Sequence, residues 1–279
     1  MTDNTALPLR FGLSPSPSAA AARVHAPTLQ RLLRRQLPDL VVEVAEGYCP
    51  LGDDLLAGRM HVAWAPPIVC SRVELSGGRV RLRAVRGGQT SYRAGLVCRV
   101  DEARGLGDSR QLVAAWVDED SAAGYLLARS WLAARHIDAV TGFKRASFLG
   151  SYIASLEAVA KGEADMTSAF VSSEHTSPRT ALDELAPEVR AKLRIFAFTG
   201  ETQTDGVIIA PHVHDALVQP LIDALALLHL DPEGAAVMQR LFGCDELRVI
   251  ASRAASSTPL RELIVMGPGD VGAKDRGQA

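Results

Sequence analysis

The chain has 279 residues, 47% of them apolar and 22% charged, with a mean hydropathy of +0.08. Such a composition excludes wholesale disorder and allows two modest domains, with cores built mainly from aliphatic side chains because aromatics reach only 5%. Thirty Lys and Arg against 32 Asp and Glu give a formal charge of -2, which excludes the broad positive field that nucleic acid or an anionic membrane requires.

Residues 1–10, MTDNTALPLR, contain no basic region followed by a long apolar one, so no export signal is expected. Leu9–Leu13 is a compact apolar run that predicts a strand, ended by the turn residues Ser14-Pro15-Ser16-Pro17-Ser18. Ala19 to Gln36 carries apolar residues at helical spacing, and its Arg31, Arg34 and Arg35 read as a solvated helix face. Leu40–Ala45 predicts a strand, Asp53–Ala57 a short helix closed by Gly58, and His61–Trp64 a strand stopped by Pro66 and Pro67. Val80–Val85 alternates aliphatic residues with arginine, which suits a strand with one wet face.

The middle of the chain repeats this grammar. Ala94–Val100 and Leu112–Val117 predict strands, and Asp118-Glu119-Asp120-Ser121 then reads as a helix cap with acids in the first turn, opening a helix that runs through Ala134. A strand is expected at Phe143–Phe148, a helix at Tyr152–Lys161 ended by Gly162, and a strand at Ala164–Val171. The last third begins with a strand, Leu193–Phe198, and a loop, Thr199–Asp205. Val207–Ala210 follows as a strand, with helices at His214–Leu230 and Pro232–Phe242 and another from about Asp245. The tail Gly267–Ala279 is polar and is expected to be disordered. No run of eighteen apolar residues occurs, so no membrane span is expected.

Strands alternating with helices imply mostly parallel sheets covered on both faces, and such sheets bind ligands at the carboxyl ends of their strands. The loops there supply the candidate site. Ser16 and Ser18 can donate hydrogen bonds, or Ser18 can simply cap the next helix. Trp64 and Tyr92 can wall a half-wet pocket, or Trp64 can be core. Asp120 and Ser121 begin one helix and Ser151 and Tyr152 another, each as ligand contact or as cap. Phe170 closes the adjacent loop, and Gln203 sits where the chain turns back.

Other chemistry finds little support in the residues. Cys49, Cys70, Cys98 and Cys244 are far apart, form no CxxC pair, and are expected to be buried thiols. His212 and His214 are a close pair without nearby Cys or acid ligands, so no metal is expected there, and no cofactor is expected anywhere. No nucleophile elbow, P-loop or dinucleotide-binding glycine motif is present.

Six segments in order carry a family resemblance: RFGLSPSPS, AGRMHVAWAPPIVC, TSYRAGLVCRV, VDEDSAAGYLLARSWL, GSYIASLEAVAKGEADMTSAF and FTGETQTDGVIIAPHV. Together they resemble the phosphonate-binding periplasmic proteins, a type II solute-receptor family, over about residues 9–245. The resemblance implies an α/β, two-lobed fold with mixed sheets and two crossover strands, hinge closure, and a small-molecule ligand between the lobes. It places lobe one at 1–92 and 200–279 and lobe two at 93–199. Two departures stand out. The family grips its anion with hydroxyls at a helix N-terminus, where this chain has Ser121-Ala122-Ala123-Gly124 behind three acids, and Tyr152 stands where the family has a histidine beside a serine. Phosphonate binding is therefore not expected.

The leading expectation is a non-catalytic, cytoplasmic ligand-binding protein acting as a sensor or adaptor. Two alternatives stay open. One is a cytoplasmic enzyme on the same fold, of the kind found in the futalosine route to menaquinone, with the 118–120 acids supplying a base. The other is a degenerate receptor that works through a protein partner.

Overall fold

The structure, a computed structural model, describes residues 8–15, 19–173 and 178–250. Ser16, Ser18 and the tail Gly267–Ala279 lie outside the described residues, so those expectations meet no structure. The chain divides into two compact units. Unit one gathers the described residues up to Thr90 and again from Gln203, and unit two holds Ser91–Thr202.

In unit one the chain runs β1 (Arg10–Leu13), α1 (Ala19–Leu33), β2 (Val41–Val44), α2 (Tyr48–Leu56), β3 (Val62–Ala65), α3 (Pro67–Leu75) and β4 (Arg79–Val85). It passes into unit two through β5 (Ser91–Arg99). There follow β6 (Val113–Trp116), a π-helical turn (Ala122–Leu126) running into α4 (Leu127–Ala133), β7 (Arg145–Phe148), α5 (Tyr152–Lys161), β8 (Met166–Ser172) and α6 (Pro187–Arg190). The 11-residue β9 (Leu193–Gln203) returns it to unit one, which ends with β10 (Gly206–Ile209), α7 (Asp215–Ala226), α8 (Pro232–Phe242) and β11 (Glu246–Val249).

Unit one is a six-stranded sheet in the order β11-β4-β10-β3-β1-β2, and unit two a five-stranded sheet in the order β7-β6-β8-β5-β9. Both are mixed. β1 pairs in parallel with β2 and β3, whereas β10 runs antiparallel to β3 and β4. In unit two β6 is parallel to β7 and β8, and β5 antiparallel to β8. Two of the reversed strands, β5 and β10, follow the passages between units, and β11 also runs antiparallel to β4, so the expectation of mostly parallel sheets fails at these three strands.

All four residues of β3, Val-Ala-Trp-Ala, are buried, as a central strand covered on both faces demands. The core of unit one packs Phe11, Leu13, Trp64 and Ile208 of the sheet against Leu29, Leu55, Leu221, Met238 and Phe242 of its helices. In unit two one sheet face, with Val97, Ala115 and Ala169, meets Leu156 and Val159 of α5 and Leu182 and Leu185 of the following loop. On the opposite face lies Trp116, fully buried, with its Nε1–H donating to Ala139 O at 2.8 Å and its ring against Tyr125 and Phe143.

Four sequence expectations need correction. The prolines after β3 do not merely end the strand: Pro67 occupies the first helical position of α3, where its missing N–H leaves no bond unmade. β9 continues through Thr199–Gln203 because Thr199 Oγ1 accepts Ala94 N–H at 3.0 Å and Thr199 and Thr202 turn inward. Gly243, at φ 55°, stops α8, and Glu246–Val249 forms an edge strand on β4 instead of a helix. Cys49 is exposed, while Cys70, Cys98 and Cys244 are buried. Arg31 and Arg35 are exposed as expected, yet they also pair with Glu233 and Asp231 at the start of α8.

Candidate ligand site

Unit two presents the clearest concentration of candidate residues, at the carboxyl end of its parallel strands. Trp116 and Phe148 are register partners at the ends of β6 and β7, so the loops leaving both strands start side by side. The first loop, Val117–Ser121, ends at a helix N-terminus. Ser121 Oγ accepts Gly124 N–H at 3.2 Å, and Asp118 Oδ1 accepts Asp120 N–H at 2.9 Å. The second loop begins with Leu149 and Gly150 donating to Trp116 O and Val117 O at 2.9 and 2.8 Å, with Gly150 at φ 81°. It ends at Ser151, whose Oγ accepts Ala154 N–H at 3.1 Å, and Tyr152 opens α5 half-buried.

Both serines are therefore caps, as their position before a helix allowed. Below them Ser155, fully buried, donates to Trp116 O at 3.1 Å and ties the two loops together, a contact that helical spacing alone did not suggest. Ser168, also fully buried, donates to Ala123 O and fixes the π-helical turn to the sheet. Single turns of this kind inside helices are frequent at functional sites.

The third strand of the same edge is β8. Phe170, half-buried, packs its ring 5.5 Å from Tyr92 at the start of β5, since Tyr92 pairs with Ser172 and Ala94 with Phe170 on one sheet face. Phe148 and Leu149 are 37% and 38% exposed, leaving an apolar rim beside the polar loops. Asp120 is half-buried, and its carboxyl is held above the usual range by burial first and by Asp118 and Glu119 after it. The turn is thus acidic, partly dry and already supplied with negative charge at the helix N-terminus.

In unit one Trp64 is 2% exposed and stacks on Phe242 at 4.5 Å between ring centres, so its side chain is core. Its carbonyl nevertheless anchors the first loop, accepting Ser14 N–H at 3.1 Å. Gln203 is half-buried at the end of β9. Beside it, Thr204 is the residue that the sequence reading missed. Its N–H donates to Thr90 O at 2.9 Å and its hydroxyl to Ala84 O at 2.6 Å, binding both passages between the units to β4. His214 caps α7 through Nδ1, and among the described residues no group of three or more His, Cys, Asp or Glu side chains is arranged to hold a metal ion.

Two mixed α/β units exchanged by two passages of one chain, with loops gathered at strand ends, define a two-lobed binding protein of the solute-receptor class. A family model described as the phosphonate periplasmic substrate-binding protein of ABC transporters matches residues 11–253, and the chain belongs to that family. Among solved structures, XAC2383 of Xanthomonas citri, solved with chloride and with ATP, is similar at a TM-score of 0.71. In the chloride form it is 19% identical over 91% of this chain and 95% of its own. The binding-protein component of an ABC phosphonate transporter from Pseudomonas aeruginosa is 17% identical, with a TM-score of 0.65 over 91% of this chain and 84% of its own. PhnD1 of Prochlorococcus marinus, solved with methylphosphonate, is 14% identical with the same TM-score over 93% and 96%. No curated protein matches the sequence.

The chain is accordingly a small-molecule-binding protein of the solute-receptor family and not an enzyme. The expectation of a cytoplasmic protein is corrected, because the family is one of periplasmic substrate-binding proteins. No helix among the described residues is long and apolar enough to cross a membrane.

Proposed function

We propose that the chain is the ligand receptor of a solute transporter, and that its ligand is held by strand-end loops of both units and enclosed by a hinge movement at the two passages. The residues proposed to meet it in unit two are Tyr92, Asp120, Ser121, Ser151, Tyr152 and Phe170, with Gln203 contributing from the returning strand. Trp64 supports the first loop through its carbonyl rather than touching the ligand with its ring.

The observation that carries this reading is the adjacency of the β6 and β7 loops, each ending in a capped helix. The same loops argue against a phosphonate at this turn. Ser121 Oγ accepts Gly124 N–H and keeps only its own O–H to donate, Ala122 and Ala123 have no hydroxyl to add, and three carboxyl groups stand within three residues. An oxyanion placed there meets three like charges against one hydroxyl and the first helix N–H groups, whereas an ammonium or neutral polar group meets acceptors. The half-exposed Phe148, Phe170 and Tyr152 suit a cation or an apolar flank.

Thermal-shift screening of the full chain tests the reading, because a ligand binding only the native state raises its melting temperature by mass action. Amines, amino acids and other zwitterions should stabilise it, and Asp120→Asn should weaken the best of them at least tenfold. A shift with methylphosphonate that disappears in Ser121→Ala would refute the assignment of ligand class.

A further inference from the structure

The longest described strand lies at a sheet edge. β9 has 11 residues and, among the described residues, bonds only to β5, whereas the other edge strands, β2, β7 and β11, have 4 residues each. A short edge leaves few backbone groups open, and at β2 one of them is closed by a side chain, since Val42 N–H donates to Gln30 Oε1 at 2.7 Å. From Ile195 to Gly200, β9 carries no charge and no proline. Ile195, Phe196 and Ala197 are half-buried, and Phe198 is 44% exposed with the Arg93 guanidinium 4.1 Å from its ring centre. A long apolar edge of this kind is a template for pairing with another strand.

The sequence holds a segment to match. Residues 251–279 lie outside the described residues, after β11 and almost wholly beyond the family match at 11–253. Within them Leu260–Met266 reads Leu-Arg-Glu-Leu-Ile-Val-Met, between Pro259 and Gly267-Pro268. So short an apolar run, closed on both sides by proline or glycine, has the length of a strand and not of an ordinary helix. It can reach β9. Ile250 N–H donates to Arg81 O at 3.1 Å, and Thr90 O accepts the N–H of Thr204, next to the end of β9, at 2.9 Å. The chain from Arg81 to Thr90 cannot exceed about 32 Å, and that from Ile250 to Leu260 reaches about 35 Å.

We propose that the edge of β9 is a docking surface for the chain's own Leu260–Met266, which pairs with it as a further strand of the unit-two sheet. The segment arrives at the carboxyl end of β9 and runs back along it, so the pairing is antiparallel. Charge sets the register. Glu201, exposed and accepting the Ser91 hydroxyl at 3.0 Å, is the acid of β9. Arg261 opposite Glu201 places Ile264 opposite Phe198 and Met266 opposite Phe196. A branched aliphatic side chain then covers the exposed ring, a favourable cross-strand pair. Pro268, which cannot donate to a ladder, falls opposite Arg194, where charge returns to the edge. The docking does not depend on what the receptor binds.

Two measurements test the docking. In the full chain, Cys49→Ser removes the exposed thiol, and Phe198→Cys and Ile264→Cys are introduced together and oxidised. Opposed strand residues have Cα atoms about 4.5–5.5 Å apart, which suits a disulfide. Peptide mapping should then find an intrachain bond between positions 198 and 264, and none when Gly272→Cys replaces Ile264→Cys. Dimers linked through position 198 would give the edge to a second copy of the chain, and they or the lack of any bond would overturn the proposal. Hydrogen exchange compares the wild type with a chain ended at Ile250 and with Ile264→Asp, the latter serving if the shortened chain does not fold. Amides of residues 196–201 should exchange at least tenfold faster in the variants, with β6 and β8 unchanged. Unaltered exchange in β9, or equal acceleration in β6 and β8, would overturn the docking.

Discussion

Gly124 sits where two opposed effects of one methyl group can be weighed. Replacing it with alanine removes the backbone freedom of glycine and, in an unhindered helix, stabilises by about 1 kcal/mol. Here the new Cβ would stand 2.5 Å from Val117 Cβ and Cγ2 and 2.7 Å from Ser121 Oγ. The first contact lies far inside van der Waals distance and involves a short, stiff side chain on a strand end, so the turn must move. Overpacking of this kind costs about 1–3 kcal/mol. The second contact pushes on the cap, whose 3.2 Å bond to Gly124 N–H is worth about 0.5–2 kcal/mol. Destabilisation therefore wins, by about 0.5–4 kcal/mol. In a chain of this size that lowers the melting temperature by roughly 2–4 °C per kcal/mol. Denaturant and thermal unfolding of Gly124→Ala and of Ser121→Ala give the comparison, with the glycine variant expected to be the less stable. A Gly124→Ala protein as stable as the wild type would mean that the turn is loose, and the close packing of the site on Val117 would be wrong.

Two further perturbations test the parts that hold the site. His61 has its imidazole held below the usual value of 6.5 by burial, then by His212 and Arg10, and its Nδ1 accepts Arg10 N–H at 3.1 Å. The groups facing it are His212 and Arg10, the latter paired with Glu43 at 2.7 Å. A folded-state pKa below the unfolded one stabilises the neutral form, so stability is complete above the unfolded value and drains away as the pH falls through the folded one. Melting temperatures measured from about pH 7 down to about pH 5 should decline less steeply in His61→Gln than in the wild type, and parallel curves would remove His61 from the account. Thr204→Val keeps shape while leaving Ala84 O without its 2.6 Å donor; a loss of about 1–3 kcal/mol in denaturant unfolding is expected, and no loss would mean that the hydroxyl does not secure the passages.

The legible parts of this sequence were those decided by neighbours in the chain. α5 and α8 have the bounds expected from their spacing, with Gly162 and Gly243 at their ends, and Ser121 and Ser151 fall at helix starts. What escaped was set by residues far apart. β9 runs on through a polar stretch because Ala94, more than a hundred positions away, donates to Thr199, and no local pattern encodes that bond. Trp64 was ambiguous for the same reason: its burial depends on Phe242, far along the chain on α8. Arg83 read as the wet member of an alternating strand. It is buried because Gly206, across a strand pair, offers no side chain to keep it out.

The same distinction bears on what the receptor can bind. A family resemblance is carried mostly by residues that shape strands, turns and caps, and those are retained here: the serines, the glycine at 124 and the polar turn all stand where a helix start needs them. Ligand charge depends on a smaller set, the groups left over once local bonds are made. At the unit-two turn acceptors outnumber donors, because three carboxyl groups stand together while Ser121 Oγ takes Gly124 N–H and Asp118 takes Asp120 N–H.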